Sequence, residues 1–179
     1  MWFPSITLIF FFVIIISSTN AITNNKTQIF KTNKPQVTKH NAMINSFIYL
    51  QNQARAAHRL PPLVWDPRLE RYANSYVKLR QRDCLLEHSN GLYGENIFWG
   101  SGYGWNPAQA AAAWVGEQRW YTYESNSCNA GQECGHYTQI VWKDTRRIGC
   151  SSVNCFQNRG VFMICNYDPP GNYIGERPY

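Results

Sequence analysis

Apolar positions run almost without a break from Ile6 to Ile16 and then give way to Ser17-Ser18-Thr19-Asn20-Ala21. A polar stretch rich in Asn, Thr and Lys fills residues 22–41. Beyond it, Met43, Phe47, Leu50 and Ala54 recur at steps of three and four, which predicts a first helix over residues 42–58. A second helix is predicted from Asp66 to Arg80, with Asp66 as its N-cap and Pro67 in its first turn. Its apolar stripe reads Leu69, Tyr72, Tyr76 and Leu79. A third begins in the same way at Asn106-Pro107 and continues through Tyr121, with Ala110, Ala113, Trp114, Glu117 and Tyr121 on one face. From Gly135 the pattern becomes strand-like. Gly135–Lys143 places His136, Thr138, Ile140 and Trp142 on one face, Arg147–Ser151 follows, and Val153–Phe156 with Val161–Tyr167 reads as a hairpin around residues 157–160. Helices first and strands later predict an α+β domain, and there are no internal repeats.

The N-terminal apolar run is shorter than the ~20 residues of a membrane-spanning helix and ends in small residues. It reads as a secretory signal peptide over residues 1–21, cleaved after Ala21, although only the amino group of Met1 supplies positive charge ahead of it. Residues 22–41 then read as a flexible basic leader and residues 42–179 as one domain, long enough for a single core. The leader carries Lys26, Lys31, Lys34 and Lys39 and no acid, so a formal charge of +6 falls to +2 on residues 42–179. The folded part therefore lacks the basic face of a nucleic-acid binder. Asn25-Lys26-Thr27 is the one N-glycosylation sequon, which marks Asn25 as the acceptor.

Secretion gives the six cysteines, Cys84, Cys128, Cys134, Cys150, Cys155 and Cys165, a meaning. An even number in an oxidising compartment predicts three disulfides, with connectivity open. Zinc-knuckle spacing is absent, since no Cys-x-x-Cys pair occurs.

Glu117 is the best candidate for chemistry on physical grounds, because a carboxylate in the middle of an apolar stripe needs a cation, an imidazole or donors to offset its desolvation. His88 and Glu95 lie in Glu87-His88-Ser89-Asn90-Gly91-Leu92-Tyr93-Gly94-Glu95-Asn96-Ile97, where flanking glycines predict a loop that presents side chains. Phe98 to Trp105 continues as a loop rich in glycine and aromatics.

Two long segments carry a family resemblance: Gly135-His136-Tyr137-Thr138-Gln139-Ile140-Val141-Trp142, and Cys165-Asn166-Tyr167-Asp168-Pro169-Pro170-Gly171-Asn172-Tyr173. Together they resemble the paired signatures of the CAP superfamily (cysteine-rich secretory proteins, antigen 5 and pathogenesis-related 1 proteins). The ending Gly175-Glu176-Arg177-Pro178-Tyr179 resembles the plant pathogenesis-related 1 branch. The resemblance implies a three-layer α-β-α sandwich around a central, mainly antiparallel sheet. It implies the disulfides Cys84–Cys155, Cys128–Cys134 and Cys150–Cys165, and a cleft in which His88, Glu95, Glu117 and His136 converge. Two imidazoles and two carboxylates suit zinc or a similar divalent ion. Gln51 departs from the family pattern, which has a histidine there.

The resemblance further implies a secreted, monomeric defence protein, apoplastic or vacuolar, that sequesters sterols or other lipids and meets pathogen or membrane targets. Trp120, Tyr121 and Tyr123 resemble the sterol-associated aromatic loop. A metal-dependent hydrolase using the cleft is the alternative, but no His-Glu-x-x-His helix, Gly-x-Ser-x-Gly elbow or spare thiol supports it, and binding without catalysis is the expected mode. The last eleven residues, Pro169 to Tyr179, resemble a peptide that plant members release by cleavage after Asp168. In the intact chain Tyr173 and Ile174 are expected to plug that tail onto the domain.

Overall fold

The computed structural model describes the backbone from Ser18 to Tyr179 and side chains from Gln36 onward. Residues 1–17 of the expected signal peptide, which spans 1–21, lie outside the described residues. Two compact units divide the chain, Met1–Asn41 and Ala42–Tyr179. In the first, the backbone is helical from Ser18, where the sequence pattern expects a flexible leader over 22–41. That stretch contains no glycine and a single proline, Pro35, so little in it stops helical dihedrals from propagating. Helix α1 is continuous over Ser18–Ala57, and its turns from Ala42 onward belong to the second unit. No helix of the described residues is long and apolar enough to cross a membrane.

Within the second unit, β1 (Val64–Trp65), α2 (Pro67–Arg80), β2 (Gly94–Ser101) and α3 (Pro107–Gly116) follow in order. A 3-10 turn (Glu117–Trp120), the short hairpin β3 (Tyr121–Thr122) and β4 (Ser127–Cys128), and helix α4 (Gly135–Ile140) come next. Strands β5 (Arg147–Asn154) and β6 (Gly160–Asp168) close the fold. The main sheet has the order β1-β5-β6-β2, with β1 parallel to β5 and the other pairs antiparallel. Strand β6 is central and buried along almost its whole length, so its successive residues serve opposite layers. Met163, Cys165 and Tyr167 meet α1, α3 and α4 on one face. Phe162 and Ile164 meet Ala73 and Val77 of α2 on the other. This is an α-β-α sandwich on a mostly antiparallel sheet, as the resemblance implies.

Both proline-initiated helices begin where their caps place them. Asp66 Oδ1 accepts a hydrogen bond from Arg68 N at 2.7 Å. Asn106 and Gln109 form a reciprocal capping box. The buried faces are turned from the expected ones, however. In α2 they are Leu69, Ala73 and Val77, while Leu79 is exposed. In α3, Ala111 takes the place of Ala113 in the core, and the helix ends at Gly116 instead of running to Tyr121. A small residue decides the first case: Ala73 packs with Phe162 and Ile164 and lets α2 approach the sheet more closely than a larger neighbour would.

Strand assignments also change. Arg147–Asn154 is one strand, because Ser151 and Ser152 continue the ladder opposite Ile164 and Met163. Gly94–Ser101 pairs along its length with β6, so the last four residues of the expected presenting loop, and Phe98–Ser101 of the aromatic loop, lie on an edge strand. The largest correction is at Gly135–Ile140, which is helical rather than extended. Tyr137, Gln139, Ile140, Val141 and Trp142 are all buried, so neither a two-residue nor a 3.6-residue period is visible there.

Three disulfides join Cys84 to Cys155, Cys128 to Cys134 and Cys150 to Cys165, the pairs the resemblance implies. The first ties the loop after α2 to the end of β5. The third crosses from β5 to β6 beneath α1. The second anchors the start of α4 to β4.

Candidate functional site

Glu117 caps α3 and reaches across to α4. Its Oε2 accepts from the backbone N–H groups of His136 and Tyr137, each at 3.1 Å, and its Oε1 lies 2.5 Å from His136 Nδ1. Two of the N–H groups that a helix start leaves without partners are thereby satisfied by a carboxylate. This capping contact is why the segment folds as a helix. The His136 ring also stacks on Trp114, with 6.1 Å between centroids.

His88 and Glu95 form a second dyad, with Nδ1 to Oε1 at 2.8 Å. Glu95 is almost fully buried and collects further donors: Ser89 N at 2.8 Å, Ser89 Oγ at 2.5 Å and Asn166 Nδ2 at 3.1 Å. Burial alone would raise the Glu95 pKa, but His88, Ser89 and Asn166 outweigh it and hold the carboxyl below the ordinary glutamate range. The hydrogen bond to Glu95 raises the His88 pKa above that of a free imidazole, against its partial desolvation. In both dyads Nδ1 faces the carboxylate, so Nε2 is the nitrogen left for other work.

The four expected cleft residues form two His–Glu dyads. Glu95 lies on the α2 side of the sheet, where Tyr72 Oη bonds Ser89 Oγ at 3.0 Å. The next residue on β2, Asn96, faces the other way and donates to His136 O at 3.0 Å and Tyr167 Oη at 3.1 Å. Among the described residues no three His, Cys, Asp or Glu side chains are grouped so as to hold one metal ion. This donor arrangement does not fit a four-ligand zinc centre, and no chemistry through a metal is derived from it.

A buried polar chain runs from α1 to α4 across the sheet face they share. Gln51 Oε1 accepts from Tyr167 Oη at 2.8 Å, and Tyr167 in turn meets Asn96. Burial pushes the Tyr167 phenol far above its ordinary pKa, so it stays protonated. Gln51, set outside the cleft by sequence, is thus three hydrogen bonds away from the His136 backbone, by way of Tyr167 and Asn96. Asn96, Asn166, Ser89 and Tyr167 were missed by residue-type reasoning. Their signal is positional: each is a polar residue within two positions of His88, Glu95 or Cys165.

Trp120, Tyr121 and Tyr123 are mainly engaged within the protein. Arg119 lies over the Trp120 ring at 4.8 Å. Tyr121 packs against the core and donates to Asn126 Oδ1 at 2.6 Å. Tyr123 stacks on Tyr179 at 4.7 Å, and Tyr179 stacks on His58 at 3.8 Å. The tail is held by Tyr179 and the buried Pro178, whereas Tyr173 and Ile174, the expected plugs, are exposed. An open groove of about 730 Å³ lies elsewhere, between α1 and the start of α3, lined by Ile48, Tyr49, Leu50, Asn52, Ala56 and Ala108 among others.

Residues 48–167 match the CAP family, described as the cysteine-rich secretory protein family. The chain is 61% identical over 141 residues to pathogenesis-related protein PR-1 of Medicago truncatula, covering 79% of this chain and 82% of that one. It is 54% identical to pathogenesis-related protein PRMS of Zea mays, covering 72% and 78%. Among solved structures, the crystal structure of NaASP2 with Zn2+ superposes with a TM-score of 0.62 at 26% identity, covering 76% of this chain and 84% of that one.

Proposed function

This chain belongs to the CAP, or cysteine-rich secretory protein, family and to its pathogenesis-related 1 branch, and we propose that it is a secreted plant defence protein that works by binding sterols or other lipids. The observation that carries the lipid reading is the groove beside α1. Its volume of about 730 Å³ falls within the ~300–1,000 Å³ of small-molecule sites. Ile48, Leu50, Ala56 and Ala108 give it an apolar floor, and Asn45, Asn52 and Gln53 offer polar groups for a hydroxyl. The aromatic side chains Trp120, Tyr121 and Tyr123 are a second contact region for the same ligand class. Membranes of a pathogen are the source of ligand that a secreted lipid binder of this kind would meet, as a monomer and without a required cofactor.

Turnover by a metal-bound water is the competing reading, favoured by the zinc in the NaASP2 structure. It would need His88, Glu95, Glu117 and His136 around one ion, whereas they are paired as two dyads. Release of Pro169–Tyr179 as a peptide is a further role, favoured by the exposure of residues 172–177. Cleavage after Asp168 would first have to free a strand end at which Arg146 N donates to Asp168 O.

The test is equilibrium binding of a fluorescent sterol and a fluorescent fatty acid to the purified secreted chain, with zinc and with chelator. Binding abolished by Ala108→Trp, which fills the groove, and retained by Tyr121→Ala with Tyr123→Ala supports the groove. The reverse pattern moves the ligand to the aromatic loop. Metal-dependent ester or peptide hydrolysis that is lost in Glu117→Gln would overturn the non-enzymatic reading.

A further inference from the structure

The geometry points to the Cys128–Cys134 disulfide as a site of thiol–disulfide exchange with a dithiol reductant, whose opening loosens the hairpin that grips the C-terminal strap. The three disulfides differ sharply in access. Cys150 and Cys165 are fully buried, and Cys84 and Cys155 are 7% and 3% exposed. Cys128 is exposed on the two-residue strand β4, while its partner Cys134 is 6% exposed. An attacking thiolate can therefore reach one sulfur of one bridge without any part of the sandwich opening.

That bridge also costs the fold least to lose. It spans 6 positions, against 71 and 15 for the others, so it closes the shortest loop of the unfolded chain. It lies outside both core clusters, whereas Cys150–Cys165 and Cys84–Cys155 are built into them.

What it does hold is the hairpin. Strands β3 and β4 pair only at Tyr121–Cys128 and Thr122–Ser127, and so small a ladder is marginal without a staple. The tip of this hairpin carries much of the grip on the chain end. Tyr123 Oη donates to Tyr179 O at 2.5 Å, and Asn126 Nδ2 donates to Glu176 O at 3.0 Å. Arg177 donates back to the carbonyls of Tyr123 and Glu124 at 3.2 and 2.9 Å. Anchors independent of the hairpin remain at Asn172, which meets Thr138 and Gly135, and at the His58–Tyr179 stack.

In the exchange, a thiolate of the dithiol attacks Cys128 Sγ, forming a mixed disulfide and expelling the Cys134 thiolate, which takes up a proton. The second thiol of the reductant then displaces Cys128 and closes the reductant's own disulfide. Two electrons and two protons pass from the dithiol to the protein.

The experiment treats the secreted, fully oxidised chain with graded dithiothreitol, and separately with a thioredoxin-type dithiol protein, then alkylates and maps the cysteines by mass spectrometry. Cys128 and Cys134 should label at a dithiol concentration about tenfold below that needed for the other four. Simultaneous labelling of all six, or earlier labelling of another pair, overturns the assignment. Hydrogen exchange on the selectively reduced protein should speed up across residues 121–134 and 176–179 and stay unchanged in β5 and β6. A Cys128→Ser, Cys134→Ser double variant should reproduce that pattern without reductant. Unchanged exchange in residues 176–179 of the reduced protein overturns the grip on the strap.

Discussion

The Glu117 carboxylate joins the end of α3 to the start of α4 through His136, with Oε1 2.5 Å from Nδ1 and Oε2 accepting from the His136 backbone N–H. One side chain thus fixes an imidazole and caps a helix of six residues. This double duty makes Glu117 a structural residue whatever ligand the protein binds.

Replacing it should therefore be costly. Glu117→Ala should lower the unfolding free energy by about 2–3 kcal/mol, since charge-assisted hydrogen bonds to the α4 start are lost. Glu117→Gln, which keeps one carbonyl acceptor, should lose about half as much. Urea denaturation read by tryptophan fluorescence checks both, and a neutral Ala variant would show that the cap is dispensable.

Arg55 is wholly buried and carries no carboxylate partner in its hydrogen bonds. Its guanidinium donates to the carbonyls of Pro61, Ile140, Trp142 and Thr145, tying α1 to the segment after α4. Burial pulls its pKa down to about 10, so it remains protonated at neutral pH. Arg55→Met should destabilise by about 3 kcal/mol or more, because several buried carbonyls lose their donors. Arg55→Lys should not rescue, since an ammonium cannot span that fork of acceptors. Thermal denaturation of both variants decides the point.

The His88–Glu95 dyad makes stability depend on pH in the metal-free protein. Glu95 titrates below its ordinary value of 4.5, so its contribution is present above that pH and is lost as pH falls through the folded value. His88 titrates above 6.5, so its contribution is complete below that pH and is lost as pH rises through the folded value. The dyad should stabilise most between pH 4.5 and 6.5. The Tm difference between wild type and His88→Gln, measured in chelator across pH 3 to 9, should peak in that acidic window; a flat difference would remove the dyad from the stability balance.

Gly149 marks the closest approach of α2 to the sheet. A methyl group there would sit 2.2 Å from Glu70 N and 2.5 Å from the Leu69 carbonyl carbon, both backbone atoms that cannot swing aside. Gly149→Ala should cost about 1–3 kcal/mol by overpacking, with loss of α2 protection in hydrogen exchange.

The sequence by itself determined what is local. Asp66-Pro67 and Asn106-Pro107 start their helices because cap and proline act within one turn. The apolar run from Val161 to Cys165 is legible as a buried strand, and the paired signature segments were enough to imply the fold and the disulfide pairs. Tertiary structure decided whatever depends on partners distant in the chain. Helix α4 could not be read from its own residues, because its cap comes from Glu117, 19 residues earlier, and because its six residues are too few to show a period. The face of α2 was set by how closely Ala73 lets it approach the sheet, not by where the largest apolar residues fall. The environment of the His88–Glu95 dyad follows from the register of β2 on β6. Pairing Glu95 with Asn166 turns the carboxylate toward His88 and sends Asn96 to the other face, toward His136. A register is a sum of many weak pairings over the whole sheet, and no single residue type announces it.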